Sequence, residues 1–305
     1  MTSPSRIPIA LLLLAGVLSG CGKNATKPAA MNDAEQSAVV AELASTENSA
    51  ILEDGLSDSE DPAGIGPAAP GAAAIRPLTF WRQLRASDRR FEFAFSDTDS
   101  TGRPTRAVVT IRTRLVGTFN VLTGSSLESA AMPDSARVRK ALDDLRVRRV
   151  LLRRVPGTHD SRVRWRVAAT SGVQVSSSDH TTEIRSLRIE SGALDTTITD
   201  PLAFVRMRNV LRLEPNSSVT LTVTTGRDDD LVILHRFGGR FLMAHDGTNT
   251  YRATLQVGLF ERSMHHFGVD ALSHGTLFDD ALPYDSQRWI LPYVIVPEEL
   301  EDPMP

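Results

Sequence analysis

Hydrophobic and polar residues alternate along much of the chain beyond Pro77, with the period of two that is typical of half-buried β-strands. Phe91, Phe93 and Phe95, for example, are separated by residues that can face solvent. Clusters of Gly, Asp, Asn and Pro between the alternating runs mark turns. Short strands separated by such turns predict an all-β fold, an antiparallel β-sandwich. The predicted strands cover residues 91–95, 108–119, 147–155, 162–167, 183–189, 204–213, 219–224, 251–257 and 267–272. Two more predicted strands lie between the turns at Asp228-Asp229-Asp230, Gly238-Gly239 and Asp246-Gly247.

The segment near residues 135–145 departs from this alternation. A Pro-Asp-Ser sequence precedes it, and Val138, Leu142 and Leu145 follow three or four positions apart, on one face of a helix. We therefore expect one short helix here. The phase breaks after Leu145, and Val147 begins the next predicted strand.

The alternation of apolar and polar residues is less regular in the C-terminal part of the body. Residues 279–297 carry Tyr284, Trp289 and Tyr293 among three prolines, which predicts an irregular segment or an edge strand. Residues 298–305 form an acidic tail.

A turn at residues 214–218, followed by alternating Val and Thr at 219–224, resembles a hairpin of immunoglobulin-like sandwiches. The resemblance covers about 40 residues and implies an architecture rather than a function. We expect an all-β body over residues 77–297, either as one sandwich or as two halves, about 77–199 and 200–297.

The chain opens with a different pattern, an apolar run from Ile7 to Leu18 preceded by a single basic residue. The run is shorter than the roughly 20 apolar residues that span a bilayer. It ends in Leu18-Ser19-Gly20-Cys21, which resembles the lipobox of bacterial lipoproteins. The resemblance implies that residues 1–20 are a signal peptide, recognised through Leu18, Ser19 and Gly20. It also implies cleavage before Cys21, with lipid on the sulfur and on the new amino terminus of that residue.

Cys21 is the only cysteine of the chain, so its lipidation leaves no thiol for a disulfide. In lipoproteins of bacteria with two membranes, an aspartate after the cysteine is associated with retention in the inner membrane. Gly22 therefore favours the outer membrane, with the protein facing the periplasm or the exterior. We expect a lipid-anchored protein of the cell envelope.

Residues 21–76 are predicted to be an acidic, flexible tether. No Phe, Tyr or Trp occurs from Gly22 to Thr79, and nine acids but no Lys or Arg lie between Met31 and Pro62. A flexible coil of this length reaches roughly 40 Å on average. A short helix beginning at a capping box of Asn32 and Glu35 is expected within the tether, and we favour the arrangement in which it does not dock on the body.

The mature chain would carry 33 basic and 37 acidic residues, a balance that gives no reason to expect nucleic-acid binding. The segment from Arg137 to Arg166 is the exception, with 11 basic residues and three acids. We expect its two strands to form a hairpin with Val155 opposite Arg162. That register places five arginines on one face, Arg149, Arg153, Arg162, Arg164 and Arg166. It places Val150, Leu152, Val163, Trp165 and Val167 on the other.

Three interpretations of this arginine face remain open. The arginines can form a solvated or ion-paired surface, which is the usual role of charges on an exposed strand. They can bind the acidic tether of the same chain. They can also bind an anionic envelope ligand, such as lipid head groups, lipopolysaccharide phosphates or an acidic glycan.

Motifs for a serine nucleophile, a zinc helix or a phosphate-binding loop do not occur in the sequence. The turn that begins at Asp97 resembles the start of a calcium loop, but the twelfth position of such a loop is Val108 rather than an acid. The residues that best fit a catalytic cluster are His245, His265, His266, Asp270, His274, Asp279 and Asp280. On a strand, His265 and His266 face opposite ways, which argues against a shared metal.

We therefore expect a membrane-anchored envelope lipoprotein whose β-sandwich is a binding or structural module, without a cofactor or metal and without catalysis. The alternative is an envelope hydrolase that uses the C-terminal His and Asp residues.

Overall fold

The computed structural model describes residues 29–45, 48, 63–64, 75–124, 137–155, 164–236, 239–259 and 264–296. Over these residues the chain is mostly β-structure, in two sheets that pack together and whose strand pairs are antiparallel except for one. The all-β sandwich predicted from the alternation is confirmed.

The elements of the described residues are, in chain order, helix α1 (Ala29–Leu43), strands β1 (Ala63–Gly64), β2 (Pro77–Thr98), β3 (Pro104–Thr123), β4 (Arg137–Val155), β5 (Arg164–Ser177), β6 (Ile184–Ser191), β7 (Leu194–Ile198) and β8 (Val205–Arg206), a 3-10 turn (Met207–Asn209), strands β9 (Leu211–Leu213), β10 (Ser218–Thr225), β11 (Leu231–Arg236), β12 (Gly239–Leu242), β13 (Ala244–His245), β14 (Thr250–Gln256) and β15 (Met264–Leu272), helix α2 (His274–Phe278) and strand β16 (Ser286–Ile295).

The large sheet has the strand order β1-β2-β3-β4-β5-β16-β15-β11-β12, with β8 paired to β5 and β9 paired in parallel to β16. The small sheet has the order β13-β14-β10-β6-β7. Each sheet contains strands from both sides of residue 200. The body is therefore not divided into two sandwiches at that point.

The main core lies between the small sheet and the part of the large sheet formed by β11, β15 and β16. Alternate residues of the facing strands are buried there, as the period of two requires. They include Leu187, Ile189, Val219, Leu221, Val223, Val232, Leu234, Phe267, Val269 and Trp289.

The long strands β2, β3 and β4 extend the large sheet beyond this sandwich, and the sheet curves so that Arg82 of β2 reaches Asp270 of β15. A second core fills the concave side near α2, around Phe80, Phe119 and Tyr284. A third core lies towards the other end of the same strands, around Val109 and Trp165.

The predicted helix near residues 135–145 is wrong, because residues from Arg137 onward belong to strand β4. Strand β4 pairs with β3 from Arg137 to Arg153. Its inward positions include Lys140 and Asp144, both buried and hydrogen-bonded across the concave side. Charged residues at inward positions hide the alternation of a strand, and the remaining apolar residues then resemble a helical face.

The C-terminal segment was predicted to be irregular or at an edge, and this is also wrong. Strand β16 lies inside the large sheet, between β5 and β15. Its Pro292 falls where the neighbour changes, because β5 pairs as far as Ile290 and β9 begins opposite Tyr293. A proline, which has no N–H to donate, is accommodated at such a gap.

The turn at residues 214–218 does not close a hairpin. Strand β9 before it pairs with β16 of the large sheet, whereas β10 after it pairs with β6 and β14 of the small sheet. The turn therefore crosses from one sheet to the other, with Asn216 at a φ of 58°.

Candidate functional site

The predicted arginine hairpin exists, with a different register. Strands β4 and β5 are antiparallel, but Val155 lies opposite Arg164, and Arg153 lies opposite Arg166. The shift is two residues, so it preserves the faces. Val150, Leu152 and Trp165 are buried as expected, and Val167 is partly buried. Arg162 and Val163 lie outside the described residues.

The arginines of this face have separate environments rather than one shared site. Arg149 places its guanidinium 4.7 Å from the centre of the Phe204 ring. Arg166 lies 3.7 Å from the carboxylate of Glu42. Arg153 and Arg164 are exposed. The two arginines that face each other across the β4–β5 ladder are therefore Arg153 and Arg166. Of these two, Arg166 is the one that contacts Glu42 of the N-terminal region.

Helix α1 docks on this end of the body, contrary to the arrangement we favoured. Val39 and Leu43 are 0% and 2% exposed, and they pack in the core that contains Val150, Leu152 and Trp165. This part of the expected tether is therefore an integral element of the fold. Cys21 and the residues Leu18, Ser19 and Gly20 lie outside the described residues.

Glu35 makes the closest polar contacts of the docked helix. Its Oε1 accepts a hydrogen bond of 2.9 Å from Nη2 of Arg154, and its Oε2 accepts one of 3.1 Å from Nε1 of Trp165. The side chains of Glu35 and Arg154 are each 10% exposed. The helix begins at Ala29, so Glu35 lies inside it rather than in a capping box at Asn32. Glu35 was predicted to belong to a capping box, and Arg154, one of the 11 basic residues of the segment, was not among the five arginines of the predicted face.

The most concentrated buried charge lies around Asp270, on the concave side of the large sheet. Arg82 donates to both of its carboxylate oxygens, at 2.7 and 3.1 Å, and Arg288 donates at 3.1 Å. Nε2 of His235 lies 3.3 Å away. Burial alone would raise the pKa of Asp270, but Arg82 and Arg288 hold it well below its usual value.

A second buried carboxylate, Asp144, extends this cluster to strand β4. The Tyr284 hydroxyl donates to Asp144 at 3.1 Å and accepts from Nε of Arg82 at 2.9 Å. Burial raises the pKa of Asp144 to about 6, although Arg82 and Arg288 oppose the shift. These contacts join β2, β4, β15 and β16. Both oxygens of Asp270 and Oδ2 of Asp144 accept hydrogen bonds from protein groups, whereas Oδ1 of Asp144 is buried without a partner among the described residues. Because most of the acceptor oxygens are already used by side chains of the fold, we regard the cluster as a structural brace.

The structure does not bring the predicted His and Asp residues into one constellation. Asp270 contacts His235, which sequence reasoning did not select, and His265 stacks on Tyr293 at 5.4 Å. His274 stacks on Phe278 at 4.6 Å. Burial, reinforced by nearby arginines, lowers the pKa of His266 to about 3. No group of three or more potential metal-ligating side chains occurs within the part of the chain that the structure describes.

The turn that begins at Asp97 is used in the β2–β3 hairpin. Oδ1 of Asp99 accepts hydrogen bonds from both N and Oγ1 of Thr101 and from N of Arg103. These bonds lower the pKa of Asp99. These bonds give Asp99 a role in closing the turn, and the φ of 77° at Gly102 accounts for the glycine.

A cavity of about 570 Å³ opens at one side of the sandwich, between strand β7 and the β8–β9 segment. Strand β7 ends the small sheet, and Leu194, Thr196 and Ile198 point inward from it because they pair with the inward residues of β6. Val210 and Leu291 contribute apolar surface from the facing side. This cavity, which we call the β7 cavity, is largely apolar, with Asp200, Asn209 and Arg212 also in its lining.

Comparison of the chain with family models, with curated proteins and with solved structures finds no match. Among the residues described here, no helix is both long and apolar enough to cross a membrane.

Proposed function

We propose that the chain is a lipid-anchored protein of the bacterial cell envelope whose β-sandwich binds an apolar ligand in the β7 cavity. The cavity is the observation that carries the binding role. Its volume of about 570 Å³ falls within the range of roughly 300–1,000 Å³ that is usual for small-molecule sites. The lipobox-like sequence that ends at Cys21 supports the anchored location.

The docked helix determines how far the body can lie from the membrane. Ala29, the first residue of α1, lies eight positions after Cys21. A fully extended chain of that length reaches roughly 28 Å, at about 3.5 Å per residue. A lipid on Cys21 would therefore hold the sandwich next to the membrane surface, closer than the long tether expected from composition.

The lining of the cavity indicates the class of ligand. Leu194, Ile198, Val210 and Leu291 offer aliphatic surface, whereas Thr196 is the polar residue that points inward from β7. An aliphatic or aromatic molecule would exchange contact with water for contact with these side chains, which is favourable by about 25 cal/mol per Å² buried. We propose a largely apolar molecule, such as an acyl chain.

Titration with N-phenyl-1-naphthylamine, whose fluorescence increases in apolar surroundings, tests the cavity. The Thr196→Trp variant places a large side chain in the cavity, and Thr220→Trp makes the same change on the outer face of strand β10 as a matched control. We expect saturable binding to the wild-type chain and to Thr220→Trp, with at least a tenfold loss in Thr196→Trp. Equal binding by all three proteins, or no saturable binding, contradicts the proposal.

An anionic partner for the arginine face remains part of the proposal in a narrower form. Glu42 already lies near Arg166, so Arg153 and Arg164 are the exposed candidates. We expect the double variant Arg153→Gln/Arg164→Gln to lose affinity for vesicles that contain an anionic lipid, measured at two salt concentrations. Unchanged binding would leave these arginines as a solvated strand face. The His and Asp residues of the hydrolase alternative lack a shared site, so we do not propose it.

A further inference from the structure

A second cavity, of about 540 Å³, lies at the turn before strand β11. The turn supplies Asp228, Asp229 and Asp230 to its lining. The remaining walls are mostly apolar, and they are formed by Leu231, Val232, Leu242, Met243, Tyr251 and His274, among others. We call this the Asp230 cavity. It is distinct from the β7 cavity, with which it shares no lining residue.

Asp230 is the unusual member of this lining. It is 4% exposed, and neither of its carboxylate oxygens has a hydrogen-bond partner among the residues that the structure describes. The neighbouring hydroxyl of Thr225 lies close enough to Asp230 to oppose the rise of its pKa. This hydroxyl donates its proton to the carbonyl oxygen of Arg227 at 2.7 Å, so the proton is directed away from the carboxylate. A buried, ionised carboxylate without a partner costs several kcal/mol, and native proteins normally supply a cation or hydrogen-bond donors.

The groups around Asp230 do not supply this partner. Arg227, the nearby base, donates from Nη2 to the Thr181 hydroxyl at 2.8 Å. Asp229 and Asp285 are acids whose charges disfavour ionisation of Asp230, although burial is the main cause that raises its pKa to about 6. The charge of Arg227 opposes the shift, but Asp228, Asp229 and Asp285 outnumber this one arginine. The surroundings therefore carry a net negative charge, which complements a positively charged ligand.

Asp228, by contrast, is exposed and is held by hydrogen bonds within the protein. Its Oδ1 accepts a hydrogen bond from the backbone N of Asn249 at 2.6 Å and lies 2.9 Å from Nε2 of His245. Its carbonyl oxygen accepts a hydrogen bond of 3.0 Å from the Tyr251 hydroxyl. These contacts fix the turn and the Tyr251 ring that forms one wall. The cavity thus combines a fixed apolar wall with the buried carboxylate of Asp230, which has no partner among the described residues.

From this combination we infer that the Asp230 cavity binds an organic cation, a primary ammonium or guanidinium group carried on an apolar body. The cation would pair with the Asp230 carboxylate, and the apolar body would lie against Leu231, Leu242 and Met243. A Ca²⁺ ion fits less well, because it requires six to eight oxygen ligands and these walls are apolar. Tyr251 adds an aromatic ring that can attract the cation.

Calorimetric titration of the mature chain with hexylammonium chloride at pH 7.5 tests this inference, with 1-hexanol as the uncharged probe of equal length. The variant Asp230→Asn removes the charge at the site, and Asp246→Asn removes an exposed aspartate outside the lining as the matched control. We expect hexylammonium to bind at least tenfold more tightly than hexanol. This preference should disappear in Asp230→Asn and persist in Asp246→Asn.

Titration of the Thr196→Trp variant and titration with Ca²⁺ distinguish this site from the β7 cavity and from a metal site. Hexylammonium affinity should be unchanged in Thr196→Trp, since that substitution fills only the β7 cavity, so the two sites can fail independently. Equal affinity for hexylammonium and hexanol overturns the inference. So does retention of the ammonium preference in Asp230→Asn, or a Ca²⁺ affinity that exceeds the hexylammonium affinity and depends on Asp230.

Discussion

Removal of the Glu35 side chain should detach helix α1 from the body. Val39 and Leu43 are buried by docking, and full burial of such side chains is worth about 1.5–3 kcal/mol each, or about 3–6 kcal/mol together. In Glu35→Ala, Arg154 would stay buried without its carboxylate, at a cost of about 3–5 kcal/mol. This cost is similar in size to the apolar gain, and docking must also offset the entropy of ordering the helix and its side chains. We therefore expect the undocked state to become the lower-energy state in Glu35→Ala, so that the free energy of undocking sets the upper limit of the destabilisation.

Hydrogen–deuterium exchange of residues 29–43 reports this change directly, since the amides of a detached, isolated helix of 15 residues exchange rapidly. The control is Glu42→Ala, which removes a more exposed pair at 3.7 Å that is worth about 0–1 kcal/mol. We expect protection of α1 to be lost in Glu35→Ala and retained in Glu42→Ala. If Glu35→Ala leaves the protection of α1 at the wild-type level, the Glu35–Arg154 pair does not hold the helix.

Four shorter predictions address the anchor, the sheet and the buried charges. Cys21→Ser should release the protein from the membrane fraction, since it removes the proposed lipid attachment; recovery with membranes after a high-salt wash contradicts the lipobox interpretation. Gly117→Ala should destabilise the chain by more than about 2 kcal/mol in urea unfolding, because the added methyl would collide with the backbone of Gln83 across the β2–β3 ladder. The wild-type protein should lose stability between pH 7 and pH 5, and His266→Gln should lessen this loss. The pKa of His266 is lowered to about 3, so His266 stays neutral in the folded state, while the unfolded chain takes up a proton near pH 6.5. Asp230→Asn should stabilise the unliganded protein at pH 7.5, and this gain in stability should disappear towards pH 4. Because the pKa of Asp230 is raised to about 6, the folded wild-type protein takes up a proton below about pH 6, whereas the unfolded chain binds it only near pH 4. A stability difference between variant and wild type that does not vary with pH would contradict this.

The strands of the sandwich could be predicted because their inward residues are apolar. Strands β10 and β14 alternate cleanly, and their buried residues are the ones that the pattern selects. Strand β4 alternates as regularly in structure, but Lys140, Asp144 and Arg148 occupy inward positions. The partners that allow their burial, such as Tyr284 and the Gly275 carbonyl, lie more than 130 residues away along the chain. A local pattern does not contain that information.

The docking of α1 was missed for a related reason. Composition showed no aromatic residue near Val39 and Leu43, and the aromatic partner, Trp165, comes from strand β5. Two apolar residues of the helix, Val39 and Leu43, are sufficient for docking because the surface that they contact includes the aromatic ring of Trp165. The Arg154–Glu35 pair was recognisable only as a general attraction between basic and acidic segments. The position of Arg154 beside Glu35 depends on the register between strands β4 and β5, and the predicted register differs from the observed one by two residues.

The two cavities could not have been located from sequence. The β7 cavity combines Gly172, Val210 and Leu291 with strand β7, and these come from different regions of the chain. The Asp-Asp-Asp sequence at residues 228–230 was visible as a turn. That its third carboxylate is buried without a partner follows from packing rather than from composition.

Native mass spectrometry of the full chain, extracted from cell membranes in mild detergent, tests the central claim most directly. We predict a protein that begins at Cys21 with covalently attached lipid and carries one non-covalent apolar molecule. The Thr196→Trp protein should show the same covalent mass at Cys21, apart from the substitution, without the bound molecule. A wild-type chain without any bound molecule, or one whose bound molecule persists in Thr196→Trp, would contradict the proposed binding function.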